Sequence, residues 1–357
     1  MELNVYRHQV KTRTAKRYLL IAFLIVISIL VFSKILERKV EKPVYRQMLA
    51  AARKTYLAVQ VIGELCRIEN IEIDPALDPN NTGLIGTEFS PITTTLGNLT
   101  AKQTALNPDF AALIVDIFWS QGIKSGDKVA IQASASFPAL TFAAIIACET
   151  VEVEPVISAS LGSSSFGANR PELTYLDMEN ALINQGIIQS RSALITPGGE
   201  NDNGSSFFNG GYDIVKAAAQ RNGYTLFAPR DLDEAIQTKW HLFDRGNGIR
   251  MFVNIGGNQT SLEDERVPSG LIIPVSSKMI SGRRLIALFL NQNIPVLNML
   301  NIRELAFRNH IKLAPCPLPE AGHSMVYFKK YLPPGFWLSG LLLMAACFIM
   351  LTLKRRS

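Results

Sequence analysis

From Asn107 onward the chain alternates short apolar runs with segments of helical period, and this alternation limits the fold more than any other feature. Asn107-Pro108 is a cap followed by a first-turn proline, and it opens a helix that Gly122 ends. Lys128–Ala133 reads as a buried strand, Pro138–Thr150 as a helix apolar almost throughout, and Glu154–Ala159 as the next strand. Pro171–Gln185, Gly211–Arg221 and Leu232–Phe243 continue as helices. Ala193–Thr196, Tyr224–Phe227 and Met251–Ile255 read as extended, with two further strands at Leu271–Val275 and Pro295–Leu297. Strands alternating with helices form βαβ units, so the expected fold is α/β, with a mostly parallel Rossmann-like sheet flanked by helices.

The two ends differ from this middle. Tyr18 to Leu36 is an apolar run followed by Lys34, Glu37, Arg38 and Lys39 rather than by small residues. It therefore reads as an uncleaved anchor in preference to a signal peptide. A second apolar run covers 336–353, with Tyr331, Phe336 and Trp337 at one end and Lys354, Arg355 and Arg356 at the other. The expected layout is a basic cytoplasmic tail at 1–17, a transmembrane helix at 18–36, and an amphipathic helix with a long polar loop at 43–106. An extracytoplasmic α/β domain follows at 107–330, then a second transmembrane helix at 336–353 and a basic tail at 354–357. Both tails are expected in the cytoplasm and the main domain outside the cytoplasmic membrane.

Charge sharpens this picture. The net charge is +6, and the segments 1–17 and 354–357 carry +4 and +3 of it, which leaves about −1 for everything between. The basic balance is thus a feature of the ends and no footprint for nucleic acid. Hydrophobic residues make up 48% and charged residues 18%, which excludes a disordered or coiled-coil chain. Four cysteines without a C-x-x-C pair exclude a zinc ribbon or a disulfide scaffold. His8, His241, His310 and His323 are scattered without H-E-x-x-H, so no metal site is expected.

In an open α/β sheet, ligands collect at the carboxyl ends of the strands. After the first strand comes Ser134-Ala135-Ser136-Phe137-Pro138, which runs straight into a helix, so Ser136 lies at the positive helix end. Ser136 is a candidate nucleophile or carboxylate anchor, with Ser134 beside it, and its plainer reading is a helix cap, the far commoner role for a serine there. The loop Ser160 to Asn169 is rich in small residues and is neither a P-loop nor G-x-G-x-x-G, so no nucleotide and no cofactor is expected. Gly198-Gly199 and Gly256-Gly257 follow two other strands and suit an anion nest or plain tight turns. Asp202 is the carboxylate best placed for catalysis, or else a turn residue. The loop 74–106 carries Glu88 and Lys102 among several threonines. Lys102 is a candidate partner of Ser136 in a serine–lysine pair, and Glu88 a candidate proton-transfer group. The G-x-S-x-G elbow is absent.

The string Asn107-Pro108-Asp109-Phe110-Ala111-Ala112, Gly126-Asp127-Lys128-Val129-Ala130 and Ser134 to Leu140 resembles the poly-γ-glutamate system protein family. The likeness continues through Ser160 to Asn169, Leu176-Asp177-Met178-Glu179, and Gly198-Gly199 with Asp202 and Gly204, over roughly 80–260. Ala135 departs from it, where the family pattern places glycine. The resemblance implies an accessory membrane component of poly-γ-glutamate synthesis and export that binds the polymer or the membrane subunits of its synthase. A second implied reading is a γ-glutamyl amide hydrolase or transferase, with Ser136 attacking the carbonyl and Lys102, Glu88 or Asp202 moving the proton. Lys102, Asn169 and Arg170 join the paired glycines as expected local contacts for a carboxylate-bearing chain.

Overall fold

Most of the apolar runs become strands, in the order their spacing sets. The structure is a computed structural model that describes residues 20–244, 248–263, 267–274, 282–333, 335, 336, 338–343, 345, 346 and 349. Along the chain the elements are α1 (20–36), β1 (Arg38–Glu41), α2 (Tyr45–Ile68), β2 (Thr93–Thr95), α3 (Leu99–Ala105) and α4 (Asp109–Ser120). Next come β3 (Lys128–Ser134), α5 (Pro138–Thr150), β4 (Glu154–Ser160), β5 (Ser163–Ser164), β6 (Asn169–Arg170), β7 (Leu173–Thr174), α6 (Tyr175–Asn184) and β8 (Leu194–Thr196). The chain closes with α7 (Gly211–Arg221), α8 (Leu232–Asp244), β9 (Ile249–Ile255), β10 (Gly270–Ile272), α9 (Leu285–Asn291), β11 (Val296–Met299), α10 (Ile302–Arg308) and β12 (Phe328–Tyr331).

These elements fall into two units, Lys42–Tyr327 and the paired end segments Met1–Glu41 with Phe328–Ser357. In the end unit, β1 and β12 pair antiparallel from Arg38 opposite Tyr331 to Glu41 opposite Phe328. Lys330 meets Glu37 there at 2.7 Å. The transmembrane helices expected at 18–36 and 336–353 are not found: among the described residues no helix is long and apolar enough to cross a membrane. The described part of α1 stops at Leu36, where the backbone turns extended into β1, short of the ~20 apolar residues a span requires. Near the other end the described helical run 338–343 is shorter still. Residues 1–19 and 351–357, with both basic tails, lie outside the described residues.

In the main unit six strands form one sheet in the order β10-β11-β9-β3-β4-β8. All neighbours are parallel except β10, which runs antiparallel to β11 at the edge. The chain starts at central β3, steps outward through β4 and β8, then returns past β3 to β9 and β11. That reversal makes a switch point between β3 and β9, the place where a doubly wound sheet opens a ligand crevice.

Burial explains the sequence pattern. Val129 to Ser134 of β3 are all buried, because a central parallel strand is covered on both faces. α5 is buried from Pro138 to Cys148, hence its lack of a polar face. On the β9 side, Phe252 stacks on Phe289 at 4.4 Å, with Phe243 and Trp240 packed around them. Each such ring contributes roughly 1.5–3 kcal/mol of burial. α2 packs on α4 and α5 through Met48, Ala51, Ala52, Thr55, Ala58, Val59, Ile62 and Cys66. Its small residues let the helices approach, so the buried face is turned away from Tyr56, which is 37% exposed.

Three elements differ from the sequence expectation. The helix expected from Pro171 begins at Tyr175, because Thr174 and Asp177 form a capping box with the Thr174 N–H 2.7 Å from the Asp177 carboxylate. Tyr224–Phe227 gives one isolated bridge, Leu226 to Ile195. The loop 74–106 is folded, and contains β2 and α3.

Candidate functional site

The carboxyl ends of all five parallel strands open into one cleft of about 590 Å³. Its lining includes Ser134, Ser136 and Phe137 after β3, Ser160, Gly162 and Ser164 after β4, and Gly199, Glu200 and Ser206 after β8. Gly257, Asn258 and Gln259 follow β9, and Leu300 to Arg303 follow β11. The long loop closes over this floor with Thr94 to Asn98, Ala101 and Lys102. It is tied down by β2, which pairs parallel with β5 so that Thr95 sits opposite Ser164. Asn169 holds it as well, through its Oδ1, which accepts from the Thr87 N–H at 3.0 Å, and its Nδ2, which donates to the Thr87 carbonyl and Thr93 Oγ1 at 2.9 Å each. Gly97 is required at the closest approach: a Cβ there would stand 2.2 Å from the Ser165 carbonyl oxygen.

Lys102 enters the cleft on α3, which Asn98 caps by accepting the Ala101 N–H at 2.9 Å. The side chain is 4% exposed, and its ammonium lies 4.0 Å over the Phe137 ring. Nζ donates to the carbonyl oxygen of Ser136 and to the hydroxyl of Ser164, the latter at 2.7 Å. Among the described residues it has no carboxylate partner. Burial therefore brings its ammonium down from 10.5 to about 7. The hydroxyls around it are linked: Ser134 Oγ donates to Ser136 Oγ at 3.0 Å, and the Ser164 N–H donates to Ser136 Oγ at 2.9 Å.

A second buried lysine lies below the floor. Lys239 of α8 is fully buried and pairs with Asp202 at 2.6 Å. Burial lowers its ammonium and the Asp202 charge opposes that shift. Ser160 joins them, donating to Asp202 Oδ1 at 2.8 Å and accepting from Asn258 Nδ2 at 2.8 Å and Lys239 Nζ at 3.3 Å.

The residues singled out in the sequence divide accordingly. Ser134, Ser136, Lys102, Gly199 and Gly257 line the cleft. Lys102 meets the backbone of Ser136 rather than its hydroxyl, and gives its side-chain contact to Ser164. Asp202 is buried behind Ser160 in the ion pair, and Asn169 pins the loop. Gly198 and Gly256 shape turns at φ 84° and 85° without lining the cleft. Glu88 is exposed and outside the cleft lining. Asp177 and Glu179 are both engaged: Asp177 caps α6 and pairs with Arg221, and Glu179 is buried under Tyr175, Ser192 and Tyr224. His241, His310 and His323 are exposed and outside the cleft lining. Cys66, Cys148 and Cys316 are free thiols.

Ser164, Lys239 and Arg303 were missed. Ser164 stands inside the Ser160 to Asn169 loop, and nothing in its neighbours marks it out. Arg303 was within reach of the strand-end rule, since Pro295–Leu297 reads as a strand and the cleft residues Leu300 to Arg303 follow shortly after it. Arg303 is exposed at the start of α10 and has no carboxylate partner among the described residues. A larger cavity, about 760 Å³, lies between α2 and α6 and shares no residue with the cleft. Of its four acidic groups, Glu64 and Asp177 are held by Arg67 and Arg221, and Glu69 and Glu172 complete the acidic lining.

Fold and site together define a doubly wound α/β unit with a hydroxyl-lined cleft at its switch point and a buried lysine, Lys102, without a carboxylate partner among the described residues. The chain matches no protein-family model, no curated protein and no solved structure.

Proposed function

We propose that the main unit binds poly-γ-glutamate in the switch-point cleft, as an accessory component of the polymer's synthesis and export beside the synthase. The observation that carries this reading is the exposed Arg303 on the rim of the cleft, without a carboxylate partner among the described residues, where the other charged lining groups among those residues are Lys102 and Glu200. A γ-glutamyl chain presents one free carboxylate per residue, set beside a backbone amide. Arg303 suits the carboxylate through a bidentate contact, and the hydroxyls of Ser134, Ser136 and Ser164 suit the amide. The N-terminal end of α5 and the exposed Gly257 turn add positive potential from backbone N–H groups. The middle of the chain carries about −1, so recognition rests on these local contacts instead of a broad basic surface.

The test is calorimetric titration of the full chain with γ-linked glutamate oligomers, against α-linked oligomers of equal length. Arg303→Ala is expected to weaken γ-linked binding about tenfold or more, since a charge-assisted hydrogen bond contributes about 1.5–3 kcal/mol. Equal affinity for both linkages, or an unaffected Arg303→Ala variant, would remove the basis of the reading.

A further inference from the structure

We propose that Ser164 and Lys102 form an acyl-transfer centre, with Ser164 Oγ as nucleophile and the Lys102 amine as its general base, acting on an amide bond of the chain held in the cleft. The identity of that chain as γ-glutamyl rests on the reading above; the chemistry of the pair does not.

The choice of Ser164 follows from counting lone pairs on the cleft hydroxyls, each of which has one proton to give and two lone pairs. Ser136 Oγ already accepts from the Ser134 hydroxyl and the Ser164 N–H, so neither lone pair is open to a carbonyl carbon. Ser160 Oγ accepts from Asn258 and Lys239 and gives its proton to Asp202. Ser134 gives its proton to another hydroxyl and not to a base. Ser164 Oγ is different: it is half-buried at the cleft wall, and its contact is Lys102 Nζ at 2.7 Å. It is also held still, by the pairing of β5 with β2 and by its own N–H on Ser136.

Lys102 is suited to the partner role. A lysine acts as a base only when neutral, and burial without a carboxylate brings it to the neutral form near pH 7. In the first half-reaction neutral Nζ takes the Ser164 Oγ proton as Oγ bonds to the carbonyl carbon. The ammonium then hands that proton to the amide nitrogen, the C–N bond breaks and the amine leaves. In the second half, water adds to the Ser164 ester and gives a proton to Nζ. The C–O bond to Ser164 breaks, Nζ returns the proton to Oγ, and a carboxylic acid departs. An incoming amine in place of water turns the same cycle into a transfer. α5 begins at Pro138, two residues after Ser136, with its N-cap Phe137 in the cleft lining, so its positive end favours an oxyanion formed in the cleft.

The experiment labels the full chain with a fluorophosphonate, maps the adduct by peptide mass, and follows release from γ-glutamyl-p-nitroanilide and the chain length of poly-γ-glutamate. The adduct is expected on Ser164, with a rate that rises through about pH 7. It is expected to be absent in Ser164→Ala and slowed about 100-fold or more in Lys102→Met, the scale of general-base catalysis. Lys102→Arg, which keeps the charge and cannot give up its proton, is expected to fail as completely as Lys102→Met. A purely positional role would instead leave Lys102→Arg partly active and the pH profile unmoved. An adduct on Ser136, or no adduct in a folded full chain, overturns the proposal. Binding of poly-γ-glutamate without labelling or turnover would sink the acyl-transfer centre and leave the binding reading standing. Labelling of Ser164 without cleavage of either γ-glutamyl substrate would do the reverse.

Discussion

Replacing Lys102 by methionine is expected to stabilise the protein at neutral and acid pH, and to reverse sign in alkali. Lys102 is 4% exposed without a carboxylate partner among the described residues, and burial brings its ammonium from 10.5 to about 7. The unfolded chain keeps the ordinary value. Between those two limits the unfolded state binds more protons than the folded state, so stability rises with pH across the window. Below about pH 7 the ammonium is charged in both states and the cost of burying it is complete. A shift of about 3.5 pH units at about 1.4 kcal/mol each sets that cost on the order of 5 kcal/mol. Methionine occupies a similar volume without the charge, but the Ser136 carbonyl and the Ser164 hydroxyl lose their donor, which returns about 1–3 kcal/mol. The variant should therefore be about 2–4 kcal/mol more stable than the parent near pH 6 and less stable near pH 10. Urea unfolding followed by circular dichroism at several pH values measures both curves. Other titrating groups are common to the two proteins, so the difference isolates Lys102. Parallel curves would refute the uncompensated buried lysine on which the site depends.

Lys239→Met acts in the opposite direction, because it leaves Asp202 buried and unpaired behind Ser160. The expected loss is about 3–5 kcal/mol, most of it recovered by adding Asp202→Asn, and thermal melts of single and double variants decide the matter. Gly97→Ala drives a methyl group against the Ser165 carbonyl at 2.2 Å, at a cost of about 1–3 kcal/mol. It should speed amide exchange at Ser165, whose N–H bonds to the Thr95 carbonyl at 2.9 Å; unchanged exchange would mean the loop is held elsewhere. Asn98→Ala removes the α3 cap, with an expected loss of about 1 kcal/mol and a lower fluorophosphonate labelling rate, as Lys102 is carried by that helix.

The sheet was legible because its strands are short, apolar and separated by helices of regular period. Lys128, Glu154 and Leu194 begin or adjoin strands that register side by side, and the loops after them carry the serines and paired glycines the strand-end rule singles out. Sequence could not order those strands in space, and it is the reversal between β3 and β9 that gathers their loops into one cleft. The loop 74–106 was opaque for a different reason: its structure rests on distant partners, Asn169 and Ser164 above all, and not on any local period. The end segments differ from expectation because hydropathy reads composition and not helix length: the described part of α1 covers 20–36 and gives way to the β1 strand after Leu36. The sequence pairs Lys102 with Ser136, and the structure places its Nζ on the Ser136 carbonyl and on the hydroxyl of Ser164, 28 positions further on, a contact no local pattern announces.

The two buried lysines of the main unit separate structure from chemistry. Both are driven toward neutrality by burial, yet Lys239 is given Asp202 at 2.6 Å, with Ser160, Asn258 and Thr260 completing the set. That arrangement holds the charge in place and joins α8 to the turn after β8. Lys102, thirty-four residues from Ser136 in sequence, is given only neutral oxygens and an aromatic face. A lysine placed for stability alone would do better with a carboxylate, or as an apolar residue of the same volume. An amine held near its neutral form beside a serine hydroxyl is costly to fold around and useful only if its proton moves. That Lys102 has no counter-charge among the described residues, in a fold that supplies one for Lys239, is the strongest argument for the proposed proton-transfer role of its amine.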